Sequence, residues 1–324
     1  MNQPIFCDLQ PTLIDFRHEV LDGLSLPQKQ FPPQFLFHDK YGSDLFTQIC
    51  QLDEYYITRT EIGILKKNNQ AIASVIGKNC LLVEYGSGSM EKIHSVIETL
   101  DAPAAYVPID IAREHLSAYA ELTSAKYPDL NIVAVVGDYT QKGFKLPNEK
   151  LPDPASVENK VILFAGSTIG NLNHPQAVAL LRKSAELLEG RGAMLIGVDL
   201  KKDPATLHAA YNDSQGVTAK FNLNILSNIN KELNADFDLN NFYHHAPYNP
   251  VSGRIELHLI SKLPQTVTVA EQKFAFREGE SIHTENSHKY SLEDFRELAA
   301  EAGFTLKETW TDDKKLFSVN YLEL

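Results

Sequence analysis

Three apolar segments of the chain are each followed by residues that could bind part of a nucleoside. Gly86-Ser87-Gly88 follows Val83-Glu84-Tyr85, and its glycines let the backbone approach a ligand because they carry no Cβ. Asp110 ends the next segment, where a carboxylate can accept hydrogen bonds from both ribose hydroxyls. Asp138-Tyr139 follows the third segment, where the acid could accept from the adenine amino group and the ring could stack on adenine. The three sets together predict a nucleoside-binding site.

The glycine segment departs from the dinucleotide motif G-x-G-x-x-G at one position. Glu91 stands where that motif has its third glycine, and a carboxylate there would repel a pyrophosphate at the helix N-terminus. It is compatible with a cofactor that carries a sulfonium cation and no phosphate. Two alternatives stay open. Gly-x-Gly alone also fits an ordinary tight turn, and Lys92, next along the helix, is either a cofactor contact or a solvated surface lysine.

A second candidate site follows the strand predicted at 161–164. There the chain continues as Ala165-Gly166-Ser167-Thr168-Ile169-Gly170-Asn171, and in open α/β sheets ligands bind beyond the carboxyl ends of the strands. The amide oxygen of Asn171 could accept from the N–H of an amine and leave the nitrogen lone pair aimed at an electrophile. The alternative is that Asn171 caps the helix that starts near Pro175.

The elements that must position these residues alternate between buried strands and amphipathic helices. Strands are predicted at 81–85, 105–109, 132–136, 161–164 and 193–198, and helices at 42–52 (capped by Ser43), 91–100, 112–127 and 175–188. Apolar strands separated by helices predict an α/β domain on a mainly parallel sheet.

From about Lys202 this alternation stops. A helical piece at 226–233 and strands at 254–260, 266–269 and 274–276 predict an α+β region. Ser291 and Asp294 then form a capping box that opens a further helix, which ends at Gly303. Strands at 305–310 and 317–322 follow as a hairpin.

An open parallel sheet that ends in a C-terminal β-hairpin resembles the order of elements in class I S-adenosylmethionine-dependent methyltransferases. We therefore predict a Rossmann-like α/β methyltransferase domain at 62–201 and 290–324. A discontinuous α+β domain that recognises the substrate is predicted at 1–61 and 202–289.

The amino-acid composition argues against several kinds of binding partner. With 42 acidic and 30 basic residues the net charge is −12, and such a surface repels phosphate backbones and anionic lipids, so we expect neither nucleic acid nor membrane as a partner. The N-terminus lacks the segments of a signal peptide. The three cysteines form no CxxC, which fits a reducing compartment, and no HExxH accompanies the 11 histidines, so no metal is expected. We expect a cytoplasmic monomer.

Five longer blocks of sequence resemble one enzyme family. They are EYYITRTE at 54–61, GSTIGN at 166–171, LIGVDLKKD at 195–203, AYND at 210–213 and GVTAKFN at 216–222. These blocks resemble the histidine Nα-methyltransferases of ergothioneine biosynthesis, which form hercynine. The resemblance extends from about Phe37 to the end of the chain.

The resemblance implies S-adenosyl-L-methionine as cofactor and L-histidine as substrate. The positions it implies for the cofactor are Gly86, Lys92, Asp110, Asp138 and Tyr139, and Ser87 of the glycine segment is a further candidate. The positions it implies for the amino and carboxylate groups of the amino acid are Tyr56, Gly166, Asn171 and Tyr211. Those implied for the imidazole are Glu285 and Ser287, a carboxylate and a hydroxyl that suit two ring nitrogens. Leu257 stands where a methionine is expected beside the substrate side chain.

The implied reaction is a direct displacement in which the amine attacks a methyl carbon, repeated up to three times. An ammonium has no lone pair, so the amine must lose a proton before each attack, through Tyr56 or through a chain of waters. Tyr56 and Asn171 are therefore the candidate catalytic residues. Three rivals stay open: the same chemistry on another amino acid such as a tryptophan derivative, a nicotinamide-dependent oxidoreductase, and a non-catalytic ligand-binding relative.

Overall fold

The computed structural model describes residues 3–12, 15–88 and 90–324 and divides the chain into two compact units. The first contains residues 3–12, 59–200 and 290–324, and the second contains residues 15–58 and 201–289. Residues 3–12 were expected with the second unit. They lie in the first because Ile5–Asp8 forms a strand that pairs with Val133–Val136. Ser89, in the predicted glycine loop, lies outside the described residues.

Strands occur in both units. In chain order they are β1 (Ile5–Asp8), β2 (Lys29–Gln30), β3 (Cys80–Tyr85), β4 (Ala105–Asp110), β5 (Val133–Val136), β6 (Asn159–Phe164), β7 (Ala193–Asp199), β8 (Phe242–His245), β9 (Tyr248–Asn249), β10 (Arg254–Ser261), β11 (Gln265–Val269), β12 (Gln272–Phe276), β13 (Ser281–His288), β14 (Thr305–Thr311) and β15 (Phe317–Glu323). The α-helices are α1 (Phe16–Ser25), α2 (Lys40–Ile49), α3 (Ile57–Lys67), α4 (Asn69–Ile76), α5 (Met90–Ile97), α6 (Arg113–Lys126), α7 (His174–Leu187), α8 (Pro204–Tyr211), α9 (Val217–Leu233) and α10 (Leu292–Glu301).

The first unit contains a sheet in the order β1-β5-β4-β3-β6-β7-β15-β14. The strands from β1 to β7 run parallel, and β15 is antiparallel to both β7 and β14. The class I methyltransferase fold with its C-terminal hairpin is thereby confirmed. From β3 the chain builds outward to β4 and β5 on one side, and then to β6 and β7 on the other. The crevice at such a reversal is where open α/β sheets bind ligands.

This sheet forms because its central strands are apolar on both faces. Every residue of β3 and of β7 is buried, as expected for parallel strands covered by helices. Helix α10 begins with the predicted capping box, in which Ser291 and Asp294 exchange side-chain and backbone hydrogen bonds. Helix α7 is capped in the same way by Asn173 with Gln176. The alternative that Asn171 caps this helix is therefore wrong.

The second unit combines a small sheet with helices α1, α2, α8 and α9. Its sheet has the order β2-β13-β10-β8, with β9 beside β10, and β11 and β12 form a separate hairpin. Strand β10 alternates between half-buried and buried residues along its whole length, which is the pattern of a strand with one face on a core. Strand β13 pairs antiparallel with it, with a bulge between Leu257 and His258.

Two helices of the second unit begin earlier than predicted. Helix α2 is capped by Asp39, whose side chain accepts from the N–H of Gly42, so Ser43 is not its cap. Helix α9 begins at Val217, because the carboxylate of Asp213 accepts from the N–H groups of Val217 and Thr218, both at 2.8 Å. Among the described residues no helix has both the length and the apolar character that crossing a bilayer requires.

Candidate active site

The loop after β3 is shaped by glycine and tied to the end of β4. Gly86 has a φ of +76°, which favours glycine, and a Cβ added there would meet no atom within 4 Å. The N–H and the hydroxyl of Ser87 both donate to one oxygen of Asp110, at 3.1 and 3.3 Å. The other carboxylate oxygen of Asp110 accepts from the N–H of Ala112 at 2.9 Å. Open space over a glycine beside an oriented carboxylate fits the ribose of a nucleoside.

Asp138 and Tyr139 follow β5, the next strand outward. One oxygen of Asp138 accepts from the N–H and the hydroxyl of Thr140, at 2.8 and 2.6 Å. The ring of Tyr139 stacks on that of Tyr85, with centroids 4.2 Å apart and planes inclined by 4°. One ring face is thus covered by Tyr85, and stacking on adenine would use the other. Burial, together with Asp110, raises the pKa of Tyr139, so its hydroxyl stays neutral.

A buried ion pair connects α5 to the predicted substrate loop. Lys92 on α5 is 8% exposed, and its Nζ lies 2.6 Å from a carboxylate oxygen of Glu61 on α3, which is 1% exposed. The backbone N–H of Gly166 donates to both oxygens of Glu61, at 2.9 and 3.0 Å. Gly197 on β7 leaves room for this carboxylate, since a Cβ there would overlap Glu61 Oε1. The alternative of a solvated surface role for Lys92 is wrong.

The loop after β6 carries the predicted contacts to the amine. Gly166 and Ser167 both adopt left-handed backbone conformations, with φ of +80° and +58°. The buried Ser167 hydroxyl accepts from the N–H of Asp199 at the end of β7, at 2.9 Å. A single 3₁₀ turn, Thr168–Asn171, completes the loop and leaves Asn171 half-buried. Two neighbouring strand ends and an ion pair therefore hold this loop in place.

In the second unit a buried lysine joins two of the predicted substrate residues. Lys289 follows β13 directly and is 2% exposed. Its Nζ donates to Tyr211 Oη at 2.8 Å and to Ser287 Oγ at 2.7 Å. The two hydroxyl oxygens are themselves hydrogen-bonded at 2.8 Å. We call Tyr211, Ser287 and Lys289 the lysine triangle.

Glu285 and Leu257 lie directly opposite each other on β13 and β10. Opposite residues of an antiparallel pair point to the same face, as do residues two apart on one strand, so both share a face with Ser287. Burial raises the pKa of the Glu285 carboxyl to about 7, and the charge of Lys289 opposes this rise. The carboxyl therefore changes its charge near neutral pH. Leu257 is buried and supplies an apolar surface beside it.

Tyr56 lies immediately before α3 and is 3% exposed. Lys202 Nζ donates to its hydroxyl oxygen at 2.5 Å and lies 4.5 Å from the centroid of its ring. An ammonium can only donate, so the hydroxyl proton of Tyr56 is directed to an acceptor other than Lys202. The neighbouring Tyr55 packs edge-on against the ring of Tyr211, with centroids 6.1 Å apart.

Comparison with the models of known protein families determines which family the chain belongs to. Residues 16–324 match the model of the histidine-specific, S-adenosylmethionine-dependent methyltransferases. The chain belongs to this family. It is therefore a methyltransferase that acts on histidine and uses S-adenosyl-L-methionine, and the expected family is confirmed.

Individual relatives agree with this assignment. The methyltransferase is 38% identical to a histidine N-alpha-methyltransferase of Mycolicibacterium smegmatis, over 91% of each chain. It is 36% identical to the Mycobacterium tuberculosis protein of the same name, over 94% of this chain and 93% of that one. It is also 32% identical to ergothioneine biosynthesis protein 1 of Neurospora crassa, over 86% of this chain and 32% of that longer protein.

The structure places the predicted site residues of the methyltransferase in two sets. Those of the first unit lie at or after the carboxyl ends of β3 to β6, or on α5. They are Gly86, Ser87, Lys92, Asp110, Asp138, Tyr139, Gly166 and Asn171. Those of the second unit are Tyr56, Tyr211, Leu257, Glu285 and Ser287.

Sequence reasoning missed the three charged residues that hold members of these sets: Glu61, Lys202 and Lys289. For two of these residues, the position in the sequence could have indicated a role in the site. Glu61 lies four residues after Ile57 and three before Ile64, on the buried side of α3, so a charge there needed a partner. Lys289 continues the period of two that links Glu285 and Ser287 on a strand.

Proposed function

We propose that this methyltransferase transfers methyl groups to the α-amino nitrogen of L-histidine, up to Nα,Nα,Nα-trimethylhistidine (hercynine). The observation that carries the choice of substrate is the pairing of Glu285 with Ser287 on one face of β13. A carboxylate accepts from the N–H of a neutral imidazole, and a hydroxyl donates to the lone pair of its other nitrogen. An indole has a single N–H and no second ring nitrogen, so it would leave one of these groups without a partner.

We assign cofactor binding to the first unit and imidazole recognition to the second. Gly86, Ser87, Asp110, Asp138, Tyr139 and Lys92 are the residues that would hold S-adenosyl-L-methionine. They fit it because the glycine loop is open, Asp110 is oriented at the strand end, and no phosphate has to be accommodated near Glu91. When bound, the cofactor would supply a methyl group on a sulfonium, from which the amine nitrogen would displace S-adenosylhomocysteine as a neutral thioether.

The chain's own contribution to that step is to hold and deprotonate the amine. We assign Gly166 and Asn171 to its N–H groups. The side-chain oxygen of Asn171 accepts from the amine in the first and second transfers, and loses its partner once the last N–H is replaced. Catalysis then rests on proximity and orientation of a neutral amine, with no covalent enzyme intermediate.

We assign Tyr56 to the proton path and Tyr211 to the polar groups of the amino acid. The hydrogen bond from Lys202 is compatible with this role, because it leaves one lone pair of the Tyr56 oxygen to accept the amine proton while the hydroxyl proton passes to a further acceptor. Replacing Tyr56 with Phe tests the assignment. We expect a lower kcat and a changed pH–rate profile, whereas an unchanged profile would remove this tyrosine from the proton path.

We also propose that the enzyme is a cytoplasmic monomer without a nucleic-acid partner. The net charge of −12 and three cysteines that carry no disulfide in the described residues support this. Light scattering coupled to size exclusion tests the oligomeric state, and a mass of two chains would contradict the proposal.

Mass spectrometry of the reaction products tests the activity itself. The enzyme is incubated with S-adenosylmethionine and L-histidine, with L-tryptophan and L-tyrosine in parallel reactions. We expect histidine to gain three methyl groups. Turnover of another amino acid alone would contradict the assignment of Glu285 and Ser287, and turnover of none would contradict catalysis.

A further inference from the structure

We propose that Lys289 is a specificity-determining positioning residue, which fixes the direction of the hydrogen bonds offered to the substrate ring. This inference rests on the proposed function, since it concerns the imidazole positions Glu285 and Ser287. It adds a residue that need not touch the substrate and acts through the groups that do.

The lysine triangle contains two hydroxyl protons, and its contacts limit where they can be donated. The ammonium of Lys289 only donates, and it donates to the oxygens of both Tyr211 and Ser287. Of the two hydroxyl protons, one forms the 2.8 Å hydrogen bond between these oxygens. The other cannot go to the ammonium, so it is donated outside the triangle. The triangle as a whole therefore presents a donor.

In the proposed arrangement Tyr211 donates within the triangle, and Ser287 is the outward donor. If Tyr211 donates to Ser287 Oγ, the serine oxygen accepts two hydrogen bonds, from Lys289 and Tyr211, and its own proton is directed outward. Ser287 shares its face of β13 with Glu285, two residues away. A ring nitrogen that meets the serine must then be an unprotonated acceptor. The nitrogen that meets Glu285 must carry the proton.

Lys289 also acts on the Glu285 carboxyl through its charge. Burial alone drives the Glu285 carboxyl toward its neutral form, and the lysine is the group that opposes this. A carboxylate forms a stronger hydrogen bond to an imidazole N–H than a carboxylic acid can. Lys289 thus favours the carboxylate form of Glu285 near neutral pH, where the serine proton selects the neutral imidazole.

The other titratable groups around the triangle do not supply this charge. Across the strand pair Glu285 faces the apolar Leu257. His244 on β8 lies 2.8 Å by its Nε2 from the carbonyl oxygen of Tyr211, and burial lowers its pKa. It is therefore neutral near pH 7, and among these groups the cation is Lys289.

The test compares Lys289→Met with the wild-type enzyme. The dissociation constant of L-histidine is measured by calorimetry with S-adenosylhomocysteine present, from about pH 6 to about pH 9. The quantity of interest is the ratio of the two constants at each pH, because the titration of free histidine is common to both proteins and cancels. Lys273→Met, at an exposed lysine on β12, is the matched control.

We expect the ratio to exceed about tenfold at pH 7 and below, and to shrink as the pH rises. Without Lys289 the pKa of Glu285 is higher, so the carboxylate needed for binding forms only at higher pH. In a Glu285→Gln background, Lys289→Met should leave a ratio that no longer changes with pH. Lys273→Met should stay within about twofold of the wild type at every pH.

A second variant guards against a folding defect. Lys289→Gln keeps a donor for the hydroxyls and loses the charge, so it should reproduce the pH-dependent part of the effect. Binding of S-adenosylhomocysteine and the thermal midpoint report on folding. A ratio near one, or a loss of affinity equal at every pH in both variants, would overturn the proposal. Turnover of histidine by the wild-type enzyme tests the proposed function separately, so the two failures are distinguishable.

Discussion

Two buried lysines, Lys92 in the first unit and Lys289 in the second, satisfy their charges in different ways. Lys92 is paired with a carboxylate, that of Glu61, which in turn accepts from the Gly166 backbone. Lys289 donates to two neutral hydroxyls. The first pair cancels its charge locally and holds a loop. Lys289 also acts on Glu285, whose pKa its charge lowers.

Burial alone therefore does not distinguish a lysine that stabilises the fold from one that helps to recognise the substrate. Removing one member of a buried ion pair leaves the other charge buried without compensation, which lowers the free energy of unfolding. Removing Lys289 takes a donor from two hydroxyls and a positive charge from the surroundings of Glu285, so we expect its larger cost in substrate binding. The predictions that follow test this distinction, starting with the largest effect.

Glu61→Ala should give the largest loss of stability. It leaves the Lys92 ammonium buried without its carboxylate and the Gly166 N–H without its acceptor, and breaking such a pair costs about 3–5 kcal/mol. Urea unfolding measures this cost. Glu61→Gln is the matched variant, which keeps an acceptor oxygen for Gly166. An equal stability of Glu61→Ala and the wild type would contradict the structural role of this pair.

Glu84→Gln tests a second buried carboxyl, in the first unit, for comparison with Glu285 in the second. Burial raises the pKa of both carboxyls to about 7. Glu84 lies in β3 and accepts from Tyr106 and Tyr119. Between its ordinary pKa of 4.5 and about 7, the unfolded chain releases this proton while the folded one keeps it. The free energy of unfolding therefore falls by up to about 3 kcal/mol as pH rises through this range.

Glutamine does not titrate, so Glu84→Gln should lack this fall. The measurement is the difference in unfolding free energy between variant and wild type at about pH 5 and about pH 8. That difference should move in favour of the variant at the higher pH. The same difference at both values would show that Glu84 titrates normally in the folded protein.

Lys202→Met extends the comparison to a third lysine, which donates to the Tyr56 hydroxyl. We expect kcat to fall about tenfold, because the tyrosine loses the donor that directs its proton. In a Tyr56→Phe background the same substitution should add little, since coupled residues are not additive. Additive losses in steady-state kinetics would show that Lys202 acts independently of Tyr56.

Leu257→Met should have the smallest effect. The two side chains have similar volumes, so we expect a change in stability or in the histidine KM worth less than about 1.5 kcal/mol. Leu257→Ala, which opens a cavity opposite Glu285, is the contrasting variant and should cost about 2–5 kcal/mol in urea unfolding. A large effect of Leu257→Met on KM would mean that the methionine expected here has a role beyond volume.

The strands that the sequence predicted are those with a clear hydrophobic pattern. Strands β3 to β7 are apolar runs, and their order along the chain was predictable because burial on both faces selects such residues. The cofactor positions follow from that order. Strand β13 carries the polar sequence SIHTENSH and has no such pattern, so it was not predicted as a strand.

The lysine triangle escaped prediction for a related reason. Tyr211 ends a helix and Ser287 lies on β13, and the contact between them spans 76 residues of sequence. No local pattern encodes such a pairing, which depends on tertiary packing. Glu61 and Lys92 were both visible in the sequence, yet their ion pair requires the packing of α3 against α5.

The most direct test of the whole account is a competition between equal concentrations of L-histidine and L-tryptophan for the wild-type enzyme and for Glu285→Gln, with products quantified by mass spectrometry. We predict that methylated histidine dominates for the wild type and that its share falls in the variant, because the ring N–H then meets a neutral amide. A product ratio that is unchanged by the substitution, or that favours tryptophan in the wild type, would contradict recognition of the imidazole by Glu285 and Ser287.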